Sequence, residues 1–181
     1  MIISCSSIHH LRIQNVNFTP AGIEHLARGF LSLYGRVKEF SLRGCNLGDE
    51  AAAIIAECME QSSSSKPPTF LNLSDNRITA VGLQALLSAA KKVERLNLSG
   101  NILGVAGAEL LAKYLESNTS LKVLYLDQVA LGNAGLEAVM KSLEKNKTLL
   151  ELHCGENNID HRVRSWEREK GQVSESVNGW I

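Results

Sequence analysis

The sequence predicts an α/β solenoid. About six strand–helix repeats wind right-handed, with a parallel sheet lining a concave face and helices outside. Three observations carry this expectation. "LNLSDNRITAVGLQAL" (71–86) and "LNLSGNILGVAGAELL" (96–111) are near copies set 25 residues apart. Their shared template recurs along most of the chain. Each copy switches from an alternating Leu-x-Leu run to apolar residues at helical spacing, the signature of a strand followed by a helix.

The template is apolar, two variable, Leu, one variable, Leu, two variable, Asn, one variable, aliphatic, then a small residue a few places on. Units begin at Ile8, Val37, Pro68, Val93, Leu121 and Leu149, with spacings of 29, 31, 25, 28 and 28 residues. In Leu-x-Leu both leucines point one way, giving a short half-buried strand. Asn76, Asn101 and Asn157 follow at the turn, where a compact amide satisfies backbone groups that burial would orphan. Cys45 takes that place in the second unit, and Val16 and Val129 in the first and fifth are expected to tie their turns less well. Gly22, Gly82, Gly107 and Gly135, with Ala51, then let each helix start pack closely on its neighbour. The helices show one apolar stripe, as in Leu26 and Phe30, Leu111 and Leu115, or Val139 and Leu143. Such a unit cannot bury its own apolar face and must stack on the next.

This pattern resembles the leucine-rich repeat of the ribonuclease-inhibitor type, over roughly Ile8 to Ile159. The stretch "LESNTSLKVLYLDQVALGNAGLEAVMKSLEKNKTLLELHCGENNI" is similar to the repeat domains of NOD-like receptors. The resemblance implies a horseshoe arc over residues 1–159, with protein partners on its concave sheet. "EQSSSSKPP" (60–68) reads as a polar outer-rim loop lengthening the second unit. Past Ile159 the template fails, so residues 160–181 are expected to form a polar C-terminal cap and a partly disordered tail. The N-terminus shows no cap, since the first strand begins at about residue 8, which suits a piece of a longer array.

Composition narrows the function. The 181 residues are 44% hydrophobic but 5% aromatic, so the core is aliphatic. Lys plus Arg equals Asp plus Glu at 19 each, which argues against nucleic acid as a partner. No apolar run approaches a membrane span. Four cysteines, Cys5, Cys45, Cys58 and Cys154, form no paired motif, and with no leader evident the default setting is a reducing cytoplasm. Five Asn-x-Ser/Thr triplets, including those at Asn72 and Asn97, are read as chance in that compartment. No HExxH, CxxC pair, GxSxG or Walker sequence appears, and the pairs His9–His10 and His153–Cys154 alternate faces on strands. No enzymatic activity, cofactor, metal or small-molecule substrate is expected.

The residues flanking the buried leucines should face the concavity. The expected partner-binding set is Arg12, Arg43, Phe70, Asn72, Arg95, Asn97, Tyr125, Asp127, Glu151 and His153. Arginines lie in the first four units and carboxylates in the last two, a gradient that would orient a partner. Phe70, Arg95 and Tyr125 are expected to share one patch of about 10 Å, since neighbouring strands lie ~4.8 Å apart. The reading is a non-catalytic protein-interaction module. Two alternatives remain at this point: a GTPase activator resembling the activator of Ran, and the sensor repeats of a larger NOD-like regulatory receptor.

Overall fold

The computed structural model describes residues 8–33, 36–61 and 68–160. Strands β1 (His10–Gln14), β2 (Glu39–Arg43), β3 (Phe70–Asn72), β4 (Arg95–Asn97), β5 (Val123–Tyr125) and β6 (Glu151–His153) each begin two residues into a predicted unit. Between them lie helices α1 (Pro20–Leu33), α2 (Asp49–Gln61), α3 (Ala80–Ala89), α4 (Gly104–Ser117) and α5 (Gly132–Leu143). All six strands pair in parallel and in chain order within one sheet. The cap and tail expected over 160–181 fall, from residue 161 on, outside the described residues, as do Cys5 and the middle of the polar insertion.

The register places Leu11, Phe40, Leu71, Leu96, Leu124 and Leu152 in one row across the sheet. The four central members are at most 1% exposed, and the two at the ends are partly buried. Two residues further on, Leu73, Leu98 and Leu126 are wholly buried, forming the second leucine column. Their partners come from the helices, among them Ile55, Leu83, Leu86, Leu111, Leu115 and Val139. Each such leucine contributes ~1.5–3 kcal/mol through removal from water, so stacking rather than helix propensity stabilises the array.

Close approach of the helices depends on the small residues predicted for it. A Cβ on Gly82 would lie 2.9 Å from the Asp49 Cα and 3.0 Å from the Ala52 Cβ. One on Gly135 would meet the Ala108 Cβ of the preceding helix at 3.0 Å, whereas one on Gly107 would be crowded by Leu103 at the start of its own helix. Asp49, at the start of α2, also caps α3 in the next unit: its carboxylate accepts from Thr79 N–H, Thr79 Oγ1–H and Gly82 N–H. Burial pushes the Asp49 carboxyl upward, but those three donors win and hold it below its ordinary range.

The turn asparagines reach backwards. Asn76 Oδ1 accepts from Cys45 N–H and Leu47 N–H, both at 3.0 Å, and Asn157 Oδ1 accepts from Val129 N–H at 2.9 Å. Their Nδ2 groups donate to carbonyls of their own and the preceding unit. The residue just after each strand region, at 15, 44, 75, 100, 128 and 156, has a left-handed backbone with φ between 53° and 70°. Two of these six are glycine; the others are Asn15, Asp75, Gln128 and Glu156.

The triplets read as chance have a structural role. Oδ1 of Asn72, Asn97, Asn118 and Asn146 accepts from the N–H two residues on, in Ser74, Ser99, Ser120 and Thr148. The hydroxyl residue is thus the third member of a side-chain-closed turn. Asn118 and Asn146 also build a second ladder past the helix ends, donating to Lys91 O and to Leu115 O and Asn118 O. The sequence reading missed this ladder.

Candidate binding face

The sheet face turned away from the helices carries two side-chain rows set by the register. One runs His10, Glu39, Phe70, Arg95, Val123, Glu151; the other runs Arg12, Ser41, Asn72, Asn97, Tyr125, His153. All ten expected binding residues belong to this face or to its continuation at the strand ends.

Four of them form one continuous cluster. The guanidinium of Arg95 lies 4.7 Å from the centroid of the Phe70 ring, a cation–π contact. Its Nη2 donates over 3.4 Å to the Tyr125 hydroxyl. Tyr125 in turn stacks on His153, with ring centroids 4.5 Å apart and planes inclined by 22°. Phe70, Tyr125 and His153 are half-buried and Arg95 is exposed, so flat groups span β3 to β6 with faces still open to water. The sequence placed Phe70, Arg95 and Tyr125 together; His153 completes the row.

The remaining charges depart from the expected gradient. Arg12 makes a two-pronged pair with Glu39, at 2.8 and 2.7 Å, and His10 Nδ1 lies 3.0 Å from the same carboxylate. The Arg12 hydrogen bond holds the Glu39 carboxyl below its ordinary range; partial burial opposes this and His10 assists. Glu39 reciprocally raises the Arg12 guanidinium. Arg43 pairs with Asp75 at 2.6 Å. The basic half is therefore largely neutralised within the chain, because acids lie on the adjoining strand or turn 27 to 32 residues away in sequence.

Asp127 and Glu151 differ in kind. Asp127 Oδ1 accepts from Gly155 N–H at 2.6 Å, and its Oδ2 lies 3.3 Å from the Ser99 hydroxyl. That carboxylate ties the fourth, fifth and sixth units and is half-buried. Glu151 is exposed, with its carboxylate 3.7 Å from His153 Nε2. Asn72 and Asn97 spend their oxygens on the turns described above.

Among the described residues, no three His, Cys, Asp or Glu side chains are placed to hold a metal. Burial pushes the Cys58 thiol up, away from the thiolate a nucleophile needs. Tyr114 is pushed up likewise by burial, with its hydroxyl donating to Ala90 O at 2.9 Å. No described helix is long and apolar enough to cross a membrane.

A parallel sheet in chain order, one helix per strand and an asparagine ladder define a leucine-rich-repeat protein, a class whose fold binds other proteins. Residues 69–87 and 89–112 match the family described as Leucine Rich repeat. The chain is 32% identical over 160 residues to ribonuclease inhibitor from Sus scrofa, covering 86% of this chain and 34% of that one. It thus spans about a third of the length of that relative. Among solved structures it resembles the tropomodulin C-terminal domain of Caenorhabditis elegans, with TM-score 0.61, 18% identity, and 93% and 92% of the two chains covered. It also resembles leiomodin-1 actin-binding site 2, with TM-score 0.59, 23% identity, and 91% and 88% covered. At these identities the likeness is one of fold.

Proposed function

We propose that the chain is a non-catalytic interaction module that holds a folded protein partner against its concave sheet. The observation that carries this reading is the cluster Phe70, Arg95, Tyr125, His153. Among the described residues these flat side chains contact chiefly one another, with Glu151 beside His153, and they stand on the sheet. Aromatic and arginine side chains at the centre of a face supply most of the affinity in typical interfaces. Here the sheet also fixes their rotamers in advance, so little ordering entropy is lost on docking. The paired charges at Arg12–Glu39 and Arg43–Asp75 act as a rim that tunes encounter rate and salt dependence. A cytoplasmic setting goes with this reading, supported by the thiols of Cys45 and Cys58, which serve as buried packing groups.

Two partners merit direct trial: a ribonuclease, because one relative is a ribonuclease inhibitor, and actin, because leiomodin-1 carries an actin-binding site on this fold. The deciding experiment is capture from native lysate with the parent and with a Phe70→Ala/Tyr125→Ala variant, both verified as folded. Loss of the bound protein in the variant is the expected result. Retention there, combined with loss on changing exposed helical residues such as Glu109 and Lys113, would move the binding face to the convex side.

A further inference from the structure

We infer that the partner presents a carboxylate, an Asp or Glu side chain beside an apolar or aromatic residue, to a donor patch formed by Arg95, Asn72 and Asn97. This inference rests on the concave-face reading above and makes it chemically specific.

The argument starts from which polar atoms remain available. Of the three arginines on this face, Arg12 and Arg43 are committed to Glu39 and Asp75. Arg95 has no carboxylate partner among the described residues, and its neighbours in the ladder are Phe70 and Val123, neither of which carries charge. Its one side-chain hydrogen bond among the described residues, to the Tyr125 hydroxyl, is long at 3.4 Å and readily yields to a charge-assisted bond of ~2.7–2.9 Å. The two asparagines sharpen the pattern. An asparagine ordinarily offers both an acceptor and two donors. In Asn72 and Asn97 the acceptor is consumed, since Oδ1 takes the N–H of Ser74 and of Ser99 at 3.0 Å each. Their NH2 groups have no protein acceptor among the described residues. Tyr125, while accepting from Arg95, has its own O–H to donate. Three adjoining strands therefore present free donors, and the two carboxylates lining the same depression are already engaged, Asp75 by Arg43 and Asp127 by Gly155 N–H and the Ser99 hydroxyl.

A patch whose free groups are donors and whose carboxylates are engaged selects an anion, and its geometry selects a carboxylate. The guanidinium has one side covered by the Phe70 ring, leaving its edge to meet a planar two-oxygen acceptor. Asp127 just past β5 and Glu151 on β6 lie nearby, so a single negative charge meets about half the repulsion a phosphate dianion would. The Phe70 and Tyr125 rings then cover the apolar neighbour of the partner's acidic residue.

The test uses the full chain, isotopically labelled so that arginine Nε–H and asparagine side-chain NH2 signals are resolved by NMR. The probes are acetyl-Tyr-Glu-Tyr-amide, the same peptide with Gln for Glu, and inorganic phosphate. The Glu peptide is expected to shift the signals of Arg95, Asn72 and Asn97 and to bind about tenfold more tightly than the Gln peptide, the loss expected for one charge-assisted bond. Arg95→Gln should abolish that tenfold difference, and Arg43→Gln should preserve it. Equal binding of the two peptides overturns the inference while leaving the aromatic binding face standing. Phosphate acting on the same signals at lower concentration than the Glu peptide overturns the choice of carboxylate. If neither peptide perturbs the face and native capture survives the Phe70/Tyr125 double change, the concave-face reading itself falls.

Discussion

Asn101 donates from its side-chain amide to the carbonyl of Leu73, 28 residues earlier, at 2.9 Å. The same carboxamide donates to Leu98 O at 2.8 Å and accepts from Ile78 N–H at 3.0 Å. One buried group thus ties two repeats through three backbone atoms. Asn101→Ala leaves those atoms unpaired without water to replace the bonds, and is expected to lower stability by ~1–3 kcal/mol in urea unfolding. A parent-like midpoint would refute the role assigned to the amide.

The fifth unit has Val129 in the place of that asparagine, and Val129 is wholly buried. Leu73 O accepts from both Asn76 and Asn101, whereas Leu98 O has only Asn101 among the described asparagines. Val129→Asn offers Leu98 its second donor, so the lost methyl packing is offset and stability should change by no more than about 1 kcal/mol. Val129→Asp, which sinks a charge into the same place, should cost several kcal/mol. Thermal unfolding of the two variants side by side separates them.

Gly82→Ala pits two effects against each other. Alanine favours a helix interior over glycine by ~1 kcal/mol. At Gly82 the new methyl meets the Asp49 backbone at 2.9 Å, and such overpacking costs ~1–3 kcal/mol. The clash wins and the variant should be less stable. Gly29→Ala in α1, where an added methyl meets no heavy atom of the described residues within 4 Å outside its own helix backbone, should be more stable by up to ~1 kcal/mol. Opposite signs in paired melts are the expected outcome.

Glu39 gives the acid limb a defined contribution. Its folded-state pKa is depressed by Arg12, so its stabilisation is fully present above the unfolded value of about 4.3 and is lost as pH falls through the lower folded value. Glu39→Gln removes this ionisation. The parent's advantage over Glu39→Gln should be constant above about pH 5 and shrink steadily below about pH 4. An advantage that grows on acidification would contradict the pairing seen between Glu39 and Arg12.

Much of this architecture was legible because a repeat averages its own noise. The strand starts, the burial of Leu73, Leu98 and Leu126, and the small residues at Gly82, Gly107 and Gly135 all follow from one template applied six times. On the inner face, register alone brought Phe70, Arg95 and Tyr125 together. Register does not say which long side chains will reach each other, so the pairing of Arg12 with Glu39 and of Arg43 with Asp75 was hidden. Asp127 looked like a surface charge, yet it caps Gly155 across a repeat boundary, a contact 28 residues away in sequence. The Asn118 and Asn146 ladder is visible in the letters, as Asn-x-Ser/Thr before β5 and β6, but a triplet read as chance gives no hint of a turn.

The chain-order pairing of the six strands has a mechanical consequence. Packing runs between like elements of adjacent repeats, so a pull on the two ends loads the units in series rather than in parallel. Under tension the molecule should yield by peeling, one unit after another. Each event should release some 25 to 31 residues, or roughly 100 Å of extended chain. The leucine columns that make the arc stiff to bending thus leave it extensible along its length, a spring whose increments are set by the repeat.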